Sequence, residues 1–308
     1  MRQKNNIFAF KIAWMNKRSL ILPHLVAIII MMIWSETFVS SKIVLEAGLR
    51  AVDLFFLRFL LAYACIWIVC HKKLWTDNWK EELLMVALGL TGGSLYFVLE
   101  NEALCHSTAG NVSILVGSCP LYTAFLVSLF YKSERLGLRQ LIGSLLALAG
   151  MVLVIFNGQT QLHLHPIGDI LAIGAAWSWA FYSLLMHKVL GKYDTLFITR
   201  KTFGYGLISV IPYLILQPMQ IDTAQLFQPI VIGNILYLGI IASMLCFFLW
   251  SWVLKKIGTV RATNYVYMQS LFTILWAFIL INEPITLMAI VGAIILIAGM
   301  MLALKKNT

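Results

Sequence analysis

Glu36, Arg58, Glu100, Asn101 and Asn111 stand in or at the ends of long apolar stretches of this 308-residue chain. An ionisable group inside such a stretch costs at least about 2.5–3.5 kcal/mol at mid-helix, which makes it a functional candidate by default. Arg58 could hold a carboxylate, because a guanidinium offers two parallel donors in a planar fork. Glu36 or Glu100 could hold an amine or a proton. Burial favours the neutral carboxyl and a nearby arginine favours the carboxylate, and proton coupling requires that competition. A second reading needs no ligand: Arg58 pairs with Glu36 or Glu100 in a buried salt bridge that fixes helix register. Glu102 and His106 are expected at a solvated edge.

The second half of the chain offers aromatic and amide groups instead: Trp177, Trp179, Tyr182, Asn264, Tyr265, Tyr267 and Gln269. Asn264 and Gln269 are the more telling, since amides in lipid need partners. Trp and Tyr also populate interfacial belts for reasons unrelated to a ligand. The candidate substrate-binding set is therefore Glu36, Arg58, Glu100, Asn101, Asn111, Trp177, Trp179, Asn264, Tyr265 and Gln269, with Glu36 and Glu100 as candidate proton carriers.

The elements that position these residues follow from composition. Apolar residues make up 61% of the chain and charged residues 12%, against about 45–50% and about 25% in soluble domains. Spans of the roughly 20 residues that cross a bilayer as helix are predicted near 21–43, 52–71, 83–103, 108–130, 138–156, 167–187, 201–217, 230–253, 262–281 and 286–304. With a cytoplasmic N-terminus, all of the 23 Lys and Arg residues except Lys42, Arg50 and Arg58 fall in or beside inner segments. Short cytoplasmic loops retain basic residues in this way, so the net charge of +10 reads as topology, with both termini cytoplasmic, and not as a nucleic-acid surface. In this topology Glu36, Arg58, Glu100, Asn101 and Asn111 converge on the outward half.

The chain also repeats itself. Pro23, Trp34 and Phe38 recur 143 positions later as Pro166, Trp177 and Phe181; Leu54, Phe55 and Arg58 recur 142 positions later as Leu196, Phe197 and Arg200. Glu134, Gly143 and Gly150 recur 149 positions later as Glu283, Gly292 and Gly299. Two five-span copies must lie in the bilayer with opposite orientation, an architecture of secondary transporters. The fold expected is thus all-α integral membrane, with ten transmembrane helices as two inverted five-helix repeats. The first repeat covers 21–156 and the second 167–304, with an outer linker at 157–166, a basic cytoplasmic extension at 1–20 and a tail at 305–308. The matched glycines are expected to let the fifth and tenth spans pack closely.

The five cysteines (Cys65, Cys70, Cys105, Cys119, Cys246) read as small hydrophobes. His163 and His165 lack the further ligands a metal site needs, and no nucleotide-binding loop of the GxxxxGK[ST] type is present. Neither cofactor nor metal is expected; the partners expected are a small-molecule substrate and the bilayer, with the protein a monomer or homodimer.

Ten spans in two copies, with Trp34-Ser35-Glu36-Thr37-Phe38-Val39, Lys42, Arg58, Cys119-Pro120, Glu134, Gly143 and Gly150, then Glu283-Pro284, Gly292 and Gly299, resemble the EamA-type permeases of the drug/metabolite transporter superfamily. The resemblance covers nearly all the chain from about residue 20. It implies a permease for small metabolites, often an exporter of amino acids or related compounds. One departure is Gln269, where the family often has proline in the ninth span as Pro120 stands in the fourth, so the resemblance leaves open whether the two copies bend alike. An integral-membrane enzyme acting on a lipid or small substrate is the alternative, but neither an HExxH nor a GxSxG motif is present. Deleting residues 2–14 is expected to leave insertion and flux per inserted protein unchanged; a loss of flux would give that segment a role.

Overall fold

The computed structural model describes residues 2–71, 73–131, 137–156, 165–219, 223–281 and 285–304. Glu134, Glu283, Pro284, His163 and most of the 157–166 linker lie outside the described residues. Among the described residues all regular structure is helical. α1 is Arg2–Glu46 (apolar over Ile21–Glu46), α2 Ala51–Val69, α3 Trp79–His106, α4 Ala109–Phe130 and α5 Leu138–Phe156. α6 is Pro166–Val189, α7 Thr195–Leu216, α8 Pro229–Ile257, α9 the stretch 259–281 and α10 Leu287–Leu304. Seven of these are long and apolar enough to cross a membrane: α1, α2, α3, α4, α6, α8 and α10. In α5 the qualifying apolar run, Leu138–Val154, is shorter.

Local sequence sets the ends. Asn78 and Thr108 cap α3 and α4 by accepting the Glu81 and Asn111 N–H groups at 3.0 and 3.2 Å, as short polar side chains do at helix starts. Pro166 and Pro229 occupy the first turns of α6 and α8, where a missing N–H is harmless. Gly48 (φ 99°) and Gly258 (φ 86°) take the left-handed conformation that reverses the chain into α2 and α9.

Four helices are irregular inside. α3 widens into a π-turn at Leu90–Ser94 and α8 at Tyr237–Leu245. α4 is interrupted at Gly117 and Ser118, just before Cys119-Pro120, and α9 tightens to a 3-10 turn over Asn264–Met268, just before Gln269. Positions 117 and 266 are 149 apart, the spacing at which the sequence recurs, although only the first break is followed by proline. Hydroxyls capture carbonyls at both breaks: Ser118 Oγ donates to Leu115 O at 2.6 Å and Ser270 Oγ to Tyr267 O at 2.9 Å, the side-chain competition that bends helices.

The halves are sewn together through the widened turns. From the first half, Trp34 Nε1 donates to Ala242 O at 2.9 Å and Arg58 Nε to Ser243 Oγ at 2.6 Å. From the second, Ser178 Oγ donates to Thr91 O at 2.7 Å and Ser209 Oγ to Ser94 Oγ at 2.7 Å. Ser94 and Ser243 are 149 positions apart, so each half reaches into the same turn of the other. At one end of the bundle Arg50 grips Asp53 at 2.6 and 2.9 Å and donates to Gln217 O and Pro218 O. At the opposite end Lys192 and Tyr193 meet Glu81, while Lys201 and Tyr205 meet Glu82. There the Lys73 hydrogen bond at 2.8 Å holds the Asp77 carboxyl below the ordinary carboxylate range.

Candidate functional site

A small, nearly closed central cavity lies where the four irregular stretches come together. Tyr96, Phe97 and Glu100 reach it from the turns after the π-turn of α3, and Phe247 from just after that of α8. Val116 and Cys119 flank the break in α4; Val266 and Gln269 sit in and beside the break in α9. Trp34, Thr37 and Phe38 of α1, Arg58 of α2 and Trp179 of α6 complete the lining. Interrupted helices free backbone and side-chain groups at mid-bundle depth, and functional sites gather at such places.

Four of the ten expected residues meet in this cavity: Arg58, Glu100, Trp179 and Gln269. Arg58 is 1% exposed and Glu100 2%. Besides the Ser243 hydrogen bond, Arg58 lies over the Phe97 ring, 4.3 Å from its centroid. Glu100 has the Tyr96 hydroxyl and the Arg58 charge as its electrostatic neighbours. Among the described residues no ion pair within 4.0 Å joins Arg58 to either Glu100 or Glu36, so the register-fixing salt bridge of the second reading is not formed. Arg58 Nη1, Trp179 Nε1 and Gln269 Oε1 are all buried without a hydrogen-bond partner. Buried polar atoms are seldom left so; here two donors and one acceptor line the same space.

The other six expected residues are placed outside the lining. Glu36 is half-buried, one residue from Thr37 but turned toward α8; its Oε1 accepts from Ser40 at 2.7 Å, its Oε2 is buried without a partner, and Tyr237 is beside it. Asn101 is buried and donates to Ala51 O at 3.2 Å, tying α3 to the start of α2. Asn111 bridges Ser107 (3.0 Å) and Asp169 (2.5 Å), linking α4 to α6. Trp177 stacks on Tyr122 at 4.6 Å and 15° in a separate cluster. Asn264 is buried in the α9 break, and the Tyr265 hydroxyl hydrogen-bonds His24 Nδ1 at 2.6 Å. Glu102 is half-buried and His106 exposed, and the two side chains stand 3.4 Å apart.

Sequence reasoning named Trp179 but missed the aromatic groups around it. Trp34 meets Trp179 and Trp250 at 5.4 Å each, and Tyr96 meets Trp179 at 4.9 Å. Ser243 was also missed as the partner of Arg58. The recurrence of Trp34 as Trp177 marked it as notable without revealing that it faces inward. Chemically, the cavity presents a cation and a carboxylate that do not neutralise each other at contact, between aromatic faces. Those groups match the carboxylate, ammonium and apolar side chain of a zwitterion.

Comparison with known proteins shows what the chain as a whole is similar to. The model of the EamA-like transporter family matches residues 21–156 and again residues 166–305. A protein of Archaeoglobus fulgidus named "Uncharacterized transporter" is 32% identical over 291 residues, covering 92% of this chain and 98% of its own. A Salmonella typhimurium protein named "Probable amino-acid metabolite efflux pump" is 25% identical over 284 residues, covering 89% and 92%. A solved crystal structure superposes with a TM-score of 0.69 at 18% identity, covering 91% of this chain and 96% of that one, which shows a shared fold.

Proposed function

The chain belongs to the EamA-like transporter family, a multi-pass membrane protein, and from that premise we propose that it exports a small zwitterionic metabolite, such as an amino acid, across the cell membrane by alternating access. The observation that carries this reading is the arrangement of Arg58 and Glu100 in one aromatic-walled cavity without a contact between them. A substrate carboxylate would take the free Nη1 of Arg58 and its ammonium the Glu100 carboxylate, with the side chain against Trp34 and Trp179. The relative named as an amino-acid metabolite efflux pump supports the substrate class.

The same reading takes all ten helices as spans, in two inverted units at 21–156 and 167–304 with both termini cytoplasmic. In support, one family model matches twice, and each half enters the π-turn of the other. Exchange between outward- and inward-open forms would then part the Arg50 cross-links at one end or the Glu81 and Glu82 cross-links at the other. Glu100 is the proposed proton carrier; Glu36, outside the lining, is a less direct one.

Flux of a panel of amino acids in proteoliposomes tests the proposal. Glu100→Gln is expected to weaken apparent substrate affinity in counterflow, as loss of the ammonium partner requires, and to lose accumulation driven by a pH gradient. Unchanged gradient dependence would remove Glu100 from proton coupling, whereas failure of every amino acid to move would overturn the substrate class.

A further inference from the structure

The bundle end that carries Lys73, Lys192 and Lys201 has a second opening, between α2 and α7, of about 630 Å³ to its mouth. It belongs to the outer surface of the bundle: Trp67, Trp75 and Ile208 line it and are 39%, 67% and 57% exposed. Arg200, also in the lining, is only 2% exposed. Its guanidinium donates to the Cys70 and Lys73 carbonyls and lies over Trp67, 5.2 Å from the ring centroid. Those carbonyls accept from one hydrogen of each terminal nitrogen and leave its charge uncompensated. Among the described residues no carboxylate, Asp194 of the neighbouring turn included, lies within 4.0 Å of it. Lys201 alongside is paired with Glu82 and lies 4.6 Å from the Trp75 ring centroid. A buried cation without an anion is costly, and this one faces an opening.

The surroundings indicate which anion would complete it. Two tryptophans at one level mark a membrane–water interface. From the opening, exposed Ile208, Ile211, Ile215 and Leu216 continue along α7. The distance from Arg200 to Ile215 is roughly 22 Å of helix, more than the ~15 Å of one leaflet's hydrocarbon. Basic pockets between transmembrane helices take anionic lipid headgroups. We infer that this groove binds an anionic phospholipid. Its phosphate sits on Arg200 behind Trp75, and an acyl chain lies along Ile208 and Ile211. The inference does not depend on which compound the central cavity carries.

Purified protein in a nonionic detergent, titrated separately with phosphatidylglycerol, phosphatidylcholine and inorganic phosphate, provides the test, read by native mass spectrometry and melting temperature. One phosphatidylglycerol is expected to be retained per chain and to raise the melting temperature, with affinity about fivefold lower in Arg200→Gln. Should Arg200→Gln fail to fold, Trp75→Ala and Gly204→Leu decide, since they spare the Arg200 hydrogen bonds. Gly204→Leu obstructs the groove, where the nearest atoms to a new Cβ belong to the Tyr63 ring. Both are expected to lose the retained lipid. Equal retention of phosphatidylcholine, or phosphatidylglycerol binding unchanged in both variants, overturns the proposal. Stabilisation by inorganic phosphate equal to that by the lipid overturns it in favour of a free anion.

Discussion

Arg58→Gln is expected to weaken substrate binding roughly 30-fold or more, the lower end of what truncating one partner of a buried charged contact costs, while leaving the ligand-free fold as stable as before or more so. The two halves of that expectation separate a binding arginine from a structural one. A guanidinium 1% exposed in a membrane span carries a burial cost of at least about 2.5–3.5 kcal/mol. No carboxylate within 4.0 Å offsets it among the described residues; Ser243 and the Phe97 face do so only in part. Neutralisation therefore removes a penalty. Were Arg58 a structural cross-link, removing it would cost about 3–5 kcal/mol and the melting temperature would fall. Arg58→Lys sharpens the contrast: it keeps the charge but loses the fork, so only a fraction of the affinity should return. Counterflow kinetics with a ligand-free melting curve on each variant give both readings. A marked drop in stability with unchanged apparent affinity would return Arg58 to a structural role.

What the sequence revealed and concealed about this site follows from which physical signals are local. The helices were legible because a run of about 20 apolar residues has few other solutions. The residues of 201–217 and 262–281, predicted as spans, are helical over Thr195–Leu216 and 259–281. Arg58, Glu100, Trp179 and Gln269 were legible as polar or amphipathic groups in apolar surroundings. Glu36 shows the limit. Depth in the bilayer follows from counting residues, but direction around the helix requires an apolar face distinct from a polar one, and a membrane span is apolar nearly all round. Asn111 was likewise expected to converge with the other polar groups, yet Asp169, 58 positions away, claims it. The π-turn at Leu90–Ser94 holds Gly92 and Gly93 and that at Tyr237–Leu245 holds Gly239, a composition that reads as close helix packing and not as a widened turn; Phe97 and Phe247 follow them and face inward. Phenylalanines facing lipid, such as Phe125 at 53% exposure, are the same residue in the sequence.

Gly150→Leu and Gly299→Leu are expected to remove most folded protein, an effect that comes from the closeness of two backbones. A Cβ at Gly150 would stand 2.3 Å from Leu296 N and 2.7 Å from Gly292 O. One at Gly299 would stand 2.3 Å from Ala147 N and 2.7 Å from Gly143 O. These neighbours are backbone atoms of the partner helix, so neither can rotate away; α5 and α10 would have to separate along their shared seam. Overpacking in a tight interior typically costs about 1–3 kcal/mol and sometimes more, and here it forfeits the close approach that replaces hydrophobic drive between helices in lipid. Gly233, inside the first turns of α8, has nothing within 4 Å of a new Cβ. Gly233→Ala should instead raise the melting temperature, since alanine is favoured over glycine in a helix by about 1 kcal/mol. Opposite signs at Gly150 and Gly233, read from detergent-solubilised yield and melting temperature, would identify the α5–α10 seam as a rigid strut against which the other helices move. Similar losses at both positions would mean that glycine itself, and not the packing of the two helices, sets stability.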